Sequence, residues 1–586
     1  MTELELVKPT TDKFTIAAAL QEIGSLLELK SGEYFKARAD KAGARAIAEL
    51  TEDIGKLIKQ NRLTFVKGIG FAIAKQIQEL YATGESPLLK ELRSELPPGI
   101  LELANVPGLN LKKIDQLHKA LGISSIPELK AACEAGNVRQ VKGFGARSEQ
   151  KILEALASPV NRKRRLHLHH ALRISERIIE FLSTAPGFVR VEAAGALRRR
   201  QETVSEIVVV AGGQRPAALV DRFSRFPLIL RVEERSSRQL VVILTEEIKA
   251  ALLAVQPEDF ALALWRATGS EAHLRKLDLI AAKKRLKITL RGIEGLRRKG
   301  SKTKPVRPKA EPEIYARLNL QFVPPELRED EGEVEAALKG TLPDDLIKTE
   351  DIRGMVHCHT TYSDGKHSVE EMVHAAEQMG MKYITITDHS PTAFYAGGVK
   401  IDRLQRQWEE IDRVQEQSKI KILKGTESDI IADGSLDYPD WILEQFDVIV
   451  ASIHSRYKMN EDQMTRRIVT AMRQPVFKIW GHALGRLLER RPPFACRVEE
   501  ILDVIAESRA AIEVNGDPYR LDMEPRWLRA ARKRRIKFVI SVDAHSTGAL
   551  HNLKYGVAMA RRGWVRRGEV LNTQGVKAFQ KAVRPV

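Results

Sequence analysis

The chain has little cysteine: Cys133, Cys358 and Cys496 are the only three among 586 residues. Three scattered thiols cannot build a disulfide framework and show no paired zinc-finger spacing, so they are expected to be buried thiols. There is also no apolar run approaching the roughly 18 residues that crossing a bilayer requires, which excludes membrane spans and a membrane partner. The amino terminus, MTELELVKPTTDK, carries acids where a secretory or transit peptide carries basic and then apolar residues, so a cytoplasmic location is expected. A single core is excluded by length, because domains of roughly 100 to 200 residues predict three to five units.

What the sequence does have is positive charge. It carries 95 Lys+Arg against 77 Asp+Glu, a formal +18, which favours a polyanionic partner and nucleic acid first among these. The charge concentrates at Arg162-Lys163-Arg164-Arg165 and in the linker-like stretch RRKGSKTKPVRPK at 297–309. The histidines His167, His169 and His170 lie at helical spacing among arginines and are expected on an exposed helix face rather than around a metal.

About the first 155 residues read as helical and contain one small motif three times. Val66-Lys67-Gly68-Ile69-Gly70 runs into FAIAKQI, and Val141-Lys142-Gly143-Phe144-Gly145 runs into ARSEQKI. The third copy, Val106-Pro107-Gly108-Leu109-Asn110, lacks the second glycine. A glycine turn opening a helix lets helices approach closely and leaves backbone N–H groups free for a phosphate oxygen. These segments resemble helix-hairpin-helix motifs, and the resemblance implies a sequence-independent grip on DNA through Gly68, Gly70, Gly108, Gly143 and Gly145.

From about residue 160 to 340 the pattern turns to mixed α+β, with strand-like runs at Phe188–Val191, Ile207–Val210 and Leu240–Leu244. Gly195-Ala196-Leu197-Arg198-Arg199, Thr268-Gly269-Ser270 and VPPELREDEGE from Val323 to Glu333 resemble the palm and thumb of family X DNA polymerases. That resemblance implies a two-metal nucleotidyl transfer site with three acids. Where the family has Asp-x-Asp, this chain has Glu206-Ile207-Val208. Where it has a third aspartate, RQLVVIL supplies Val241 or Val242. Valine offers no charge or lone pair to a hard cation, so the palm is expected to be degenerate, with Glu206 and Val208 marking the lost site. The resemblance also implies a Schiff-base lysine beside Ile77, but that position holds Gln76. Lys75 is turned away by about 100°, so lyase activity is not expected.

The last part, from Arg353 to about Trp564, alternates strand-like runs with helical stretches, as a parallel sheet covered or closed by helices requires. GMVHCH, KYITITDH, IKILKGTE, DVIVASIH, FKIWGH, AAIEVN and KFVISVDAH end in His357 and His359, His389, Glu427, His454, His482, Asn515, and Asp543 and His545. Parallel barrel strands bring such ends to one mouth. His357 and His359 project to one side with Cys358 pointing away. Asp364 adds a carboxylate from the TYSDG loop, and Asp388 reads as a supporting acid. Mixed histidine and carboxylate donors suit Zn²⁺, Mn²⁺ or Fe²⁺ better than Mg²⁺.

The pattern resembles the polymerase and histidinol phosphatase (PHP) domain family. The resemblance implies a distorted, TIM-like seven-stranded α/β barrel and three metal ions held by His357, His359, Asp364, His389, Glu427, His454, His482, Asp543 and His545. Catalysis is then expected from hydroxide activated at His357, His359, Asp364, Glu427 and Asp543, with no protein nucleophile. Arg456, Arg486 and Arg520 are candidate phosphate clamps.

The expected layout is a helical DNA-binding domain at 1–90, a fingers-like helical domain at 91–158, a degenerate palm at 159–250, a thumb and linker at 251–345 and a PHP domain at 346–586. The expected activity is a 3'-5' exonuclease acting on gapped, nicked or single-stranded 3' ends in DNA repair. The resemblance also implies abasic-site endonuclease or 3'-phosphatase action. Two alternatives stay open: a polymerase that remains active beside the exonuclease, and a small-molecule phosphatase on a DNA-binding scaffold.

Overall fold

The computed structural model describes residues 13–30, 33–49, 54–66, 68–95, 103, 106, 109, 111–157, 165–295 and 305–585. Gly108, residues 162–164 of the basic cluster and residues 297–304 of the linker-like stretch lie outside the described residues. The chain divides into two units, the first made of Met1–Arg165, Asp221–Ser236 and Leu240–Ala250, the second of Leu166–Val220, Ser237–Gln239 and Ala251–Val586.

In the first unit, apolar residues at helical spacing on Lys13–Leu29, Tyr34–Glu49 and Phe71–Thr83 bury Ile16, Leu20, Ile47, Ile73 and Ile77 in one core. A second core gathers Ile114, Leu117, Leu129 and Ile152 from Leu111–Leu121, Ile126–Glu134 and Ala146–Ala157, with Val138 from the short turn Val138–Gln140. The motif seen three times in sequence is one turn built three times. Ile69, Leu109 and Phe144 donate their backbone N–H to the carbonyls of Val66, Val106 and Val141 at 3.0, 3.0 and 2.9 Å. Gly68 and Gly143 take φ of 96° and 94°, which a side chain would resist. A strand pair in this unit, Ile229–Arg235 and Gln239–Leu244, runs antiparallel and buries Val241 and Val242.

The second unit begins with helix Leu168–Ser183 and the antiparallel strands Phe188–Ala193 and Glu206–Gly213. Helices Phe260–Thr268, Glu271–Lys283 and Glu311–Arg317 follow around Trp265, Leu277 and Tyr315. The segments that carried the polymerase resemblance meet one another here. Arg198 donates to both oxygens of Glu311 at 2.8 and 2.7 Å and to the Thr268 hydroxyl, while Arg199 donates to the Thr268 carbonyl and to Glu329.

Seven parallel strands then pair strictly in chain order: Gly354–Cys358, Tyr383–Ile386, Lys421–Asp429, Val448–Ser452, Lys478–Trp480, Ala510–Asn515 and Phe538–Ser541. The first and last approach each other through a bridge between Cys358 and Ala544, where His359 N–H donates to the Ala544 carbonyl at 2.8 Å and Ala544 N–H to the His357 carbonyl at 3.0 Å. The result is a nearly closed barrel. Most strand residues are buried, as expected of a parallel sheet covered by helices. Val356, Leu423, Val450, Ile479 and Val539 fill the interior, and Phe579 of helix Val576–Val583 stacks on Tyr383, with ring centroids 4.7 Å apart, to plug the end opposite the histidines.

Candidate metal centre

The barrel mouth places all nine predicted ligand positions together. Glu427, fully buried near the end of the third strand, is the hub. Its carboxylate oxygens lie 3.3 Å from His357 Nε2, 3.5 Å from His359 Nε2, 3.0 Å from His389 Nδ1, 3.2 Å from His454 Nε2 and 2.8 Å from His482 Nε2. Asp543 Oδ1 lies 3.6 Å from His357 Nε2 and 3.3 Å from His359 Nε2. Asp364, about a third exposed, meets His545 Nε2 at 3.2 Å and His389 Nε2 at 3.6 Å, so this side of the cluster faces solvent.

Three groups have donor atoms close enough to share an ion: His359, Asp364, His389 and His545; His357, His359 and Glu427; and His389, Glu427 and His454. His357 Nε2, His359 Nε2, His389 Nδ1 and Glu427 Oε2 are buried without a hydrogen-bond partner, although carboxylates and imidazoles crowd around them. Such atoms are costly unless a cation satisfies them, and the nitrogen and oxygen donor set fits a divalent transition ion. Among the described residues, every group able to hold a metal lies in this barrel.

The backbone bends to make this possible. His357, His482 and Asp543 adopt φ of 64°, 24° and 48°, and the pairing register between the first two strands shifts between Met355 and Cys358. Non-glycine residues rarely tolerate this region, and each costs roughly 1–3 kcal/mol, which surrounding structure must offset. The strand therefore does not simply alternate at its end; it is re-aimed so that His357 and His359 both reach Glu427 while Cys358 stays buried.

Sequence reasoning missed Glu513 and Asp429, which orient the candidate ligands, and named only Asp388, as a supporting acid. Glu513, buried in the sixth strand, accepts from His357 Nδ1 at 2.5 Å, from the Ser541 hydroxyl at 2.5 Å and from Asn515 Nδ2 at 3.1 Å, and also from the His482 backbone N–H. Asp429 accepts from His454 Nδ1. A carboxylate on one ring nitrogen fixes the tautomer and aims the other nitrogen at a metal. Asp388 accepts from the backbone and hydroxyl of Thr360, the hydroxyl of Ser363 and the amide of Gln407, and so fixes the loop that carries Asp364.

Burial opposes charge throughout, yet Glu513, Glu427 and Asp543 outweigh it and raise the His357 pKa well above the usual histidine range. His454 is pushed to about 10 against burial by Glu427 and Asp429, and His545 to about 9 by Asp364 and Asp543. His359 falls to about 4 through burial and its histidine neighbours. Burial alone would raise Glu427 and Asp543, but His454, His357 and His389 hold Glu427, and His357, His359 and Arg520 hold Asp543, well below the carboxylate range.

The three arginines separate. Arg520 Nε sits 3.3 Å from Asp543 Oδ2 at the edge of the centre. Arg456 is exposed two residues after His454. Arg486 is buried, with its guanidinium donating to the carbonyls of Arg520 and Leu521, and Glu202 lies 3.4 Å away. Glu202 precedes the strand that begins at Glu206. Burial would raise its pKa, but Arg562 at 2.5 Å and Arg486 hold it at about 2. His167, His169 and His170 are half-buried rather than exposed, with ring centroids 5.1, 5.0 and 6.3 Å from Tyr519; helix packing on the barrel covers the face that spacing left open.

At the earlier site, Glu206 opens its strand and Val208 packs against Gly195, where an added Cβ would lie 3.3 Å from a Val208 methyl. Ala194, Val210, Val255 and Phe260 complete this apolar cluster. On the helical side, a Cβ at Gly70 or Gly145 would meet nothing within 4 Å, so both backbones are open to an approaching group.

Four family models match parts of this chain. Residues 12–86 match a helix-hairpin-helix domain, 100–158 a SAM-like helix-hairpin-helix tandem, 263–329 a DNA polymerase beta thumb and 356–517 a PHP domain. Over 568 residues, 96% of this chain and 98% of the relative, it is 35% identical to the DNA polymerase/3'-5' exonuclease PolX of Bacillus subtilis (strain 168). Over 234 residues, 37% of this chain and 89% of the relative, it is 26% identical to a probable phosphatase of Thermoanaerobacter sp. (strain X514). A probable phosphatase of Caldanaerobacter subterraneus subsp. tengcongensis is 28% identical over 206 residues, 32% of this chain and 74% of that protein.

Proposed function

Because the chain belongs to the family of bacterial family X DNA polymerase/3'-5' exonucleases that carry a PHP domain, we propose that it is a DNA end-processing phosphodiesterase that removes nucleotides from 3' ends in repair. The observation that carries this reading is the convergence of nine histidine and carboxylate side chains on the barrel mouth, with Glu427 within reach of five imidazoles.

His357, His359, Asp364, His389, Glu427, His454, His482, Asp543 and His545 would hold three divalent ions, of Mn²⁺, Zn²⁺ or Fe²⁺ type; seven of them make up the three donor groups described, and His482 and Asp543 lie beside these against Glu427 and His359. Ions bound there supply Lewis acidity, which acidifies water and neutralises phosphate charge, so that no side chain need attack phosphorus. Glu513 and Asp429 keep His357 and His454 in the tautomers whose Nε2 faces the ions. Arg520, beside Asp543, and Arg456, exposed two residues after His454, are assigned to the phosphate, whereas the Arg486 guanidinium is engaged with carbonyls and is assigned to support.

The helical domains at 1–90 and 91–158 grip gapped, nicked or single-stranded DNA through the open turns at Gly68, Gly70, Gly143 and Gly145, and Gly108 is assigned to the same task on sequence. The palm at 159–250 and thumb at 251–345 act as scaffold for the barrel at 346–586, in the cytoplasm. The palm does not polymerise, because Val208 replaces an acid that two-metal transfer requires. Incubation of Mn²⁺-supplemented protein with 5'-labelled gapped and single-stranded DNA tests the reading. Shortening from the 3' end that Asp543→Ala abolishes supports it, and intact DNA with both proteins ends it.

A second reading, an active repair polymerase beside the exonuclease, is favoured by the name of the Bacillus subtilis relative and by the thumb match. Primer extension by the parent protein that Glu206→Ala removes would establish it.

A further inference from the structure

The turn that follows His389 presents two aromatic rings to solvent at the edge of the metal centre. Phe394 is 81% exposed and Tyr395 70% exposed. The Tyr395 ring centroid lies 6.2 Å from that of His389 and 6.3 Å from that of His454, so the ring stands over two of the nine ligand positions. Water-exposed aromatics on a loose loop would need no account. This turn is not loose.

Its backbone is tied to the floor of the site on every side. Val399 N–H donates to the His389 carbonyl at 2.7 Å, Gly398 N–H to the Ala393 carbonyl at 3.1 Å and Thr392 N–H to Asp437 at 2.7 Å. The Thr392 hydroxyl reaches Asp429 at 3.1 Å, the same acid that orients His454. Space is so short beneath it that a Cβ at Gly398 would come 2.0 Å from the Ser390 carbonyl oxygen. A held turn with free aromatic faces is a preorganised platform, and ordering it on binding costs little.

We propose that Phe394 and Tyr395 form a stacking platform for the nucleobase at the 3' end being removed. The proposal rests on the phosphodiesterase reading above: a phosphate held at the histidines places its own nucleoside within reach of the rings around it. Every base has a π-face, so stacking gives affinity without a sequence requirement, as an enzyme that shortens any 3' end needs. The platform favours an unpaired terminal base, since a paired base offers only the outer face of the helix end. It thereby makes single-stranded or frayed ends the better substrates.

The test uses the full-length protein and single-stranded oligonucleotides that differ only at the 3' terminus, one with a normal nucleotide and one with a tetrahydrofuran abasic residue. Phe394→Ala and Tyr395→Ala should each lower kcat/KM on the normal end roughly tenfold, with a far smaller effect on the abasic end, and Tyr395→Phe should behave as the parent. Binding is read separately, with metal supplied and a non-hydrolysable linkage, from a 3'-terminal 2-aminopurine, whose fluorescence the parent should quench by stacking and the two alanine variants should not. Equal losses on both ends, or undiminished quenching in the variants, overturns the platform and leaves the rings to a protein partner. Cleavage of neither end by the parent protein, with metal supplied, overturns the phosphodiesterase reading and the platform with it.

Discussion

Two strands of this molecule pose the same problem and resolve it in opposite ways. The strand at Glu206–Gly213 begins Glu-Ile-Val, and the third barrel strand ends in Glu427-Ser428-Asp429. Positions two apart share a strand face, so each could present a pair of carboxylates. In the barrel the pair is present, and imidazoles surround it on neighbouring strands. At the first strand the position two after Glu206 is Val208, which fills space beside Gly195. A buried carboxylate pair survives only where cations compensate it. Once those are gone, an apolar side chain is the more stable occupant.

That contrast can be broken most sharply at Glu427. Glu427→Gln should lower metal content and reduce 3' end cleavage by about 10³-fold or more, the scale on which loss of a preorganised charge-stabilising group acts; metal analysis beside a labelled-DNA assay reads both. Cleavage retained within tenfold would show that the hub is not a ligand.

Glu202→Gln comes next. It leaves Arg486 and Arg562 buried without their shared carboxylate and should cost about 3 kcal/mol of stability, visible as a lowered denaturation midpoint. Glu513→Gln sharpens the comparison from inside the barrel: loss of the His357 partner should weaken metal affinity or activity by about 10- to 100-fold with the fold intact by circular dichroism.

A smaller, pH-dependent effect separates the histidines beside the first region from those of the centre. Burial, with Arg173 and neighbouring histidines, lowers His169 to about 3 and His170 to about 4. Their neutral forms are the folded ones. The unfolded chain takes up protons below about pH 6.5 and the folded chain does not, so stability falls as pH drops from about 6.5 towards 4. After allowance for solvent screening this is about 1 kcal/mol per histidine at pH 5, and a His169→Gln/His170→Gln double variant should lose that share of the pH slope in denaturant titrations. At the candidate metal centre the same acidification would act by competition, because protons on His454 and His545 would have to leave before a metal bound there. The smallest effect belongs to Glu206→Ala, which should change 3' end cleavage less than twofold.

The barrel was legible because histidines and acids stand at the ends of apolar runs, a place where histidine has no packing reason to recur. Glu513 was hidden by the same rule. It lies inside AAIEVN, and attention to the terminal Asn515 passed over an acid two positions earlier on the same face. A lone carboxylate in a buried strand needs a partner, and that was the available signal. Arg486 misled for a different reason: its position after a strand end is what sequence shows, while the direction of its guanidinium depends on the 520–521 carbonyls. The exposure of Phe394 and Tyr395 was not legible at all, since TAFYAGG reads equally well as a buried loop.

The contact of Glu202 with Arg486 and Arg562 also bears on how this protein can be taken apart. A barrel excised at about residue 345 would carry both guanidiniums into its wall without their counter-charge, next to the carbonyls of the loop that holds Arg520. Weak activity in such a fragment would report damage at the cut surface, not a need for the DNA grip. The same contact makes the loop before Glu206–Gly213 a part of the barrel wall, so a change there is felt at the loop that holds Arg520.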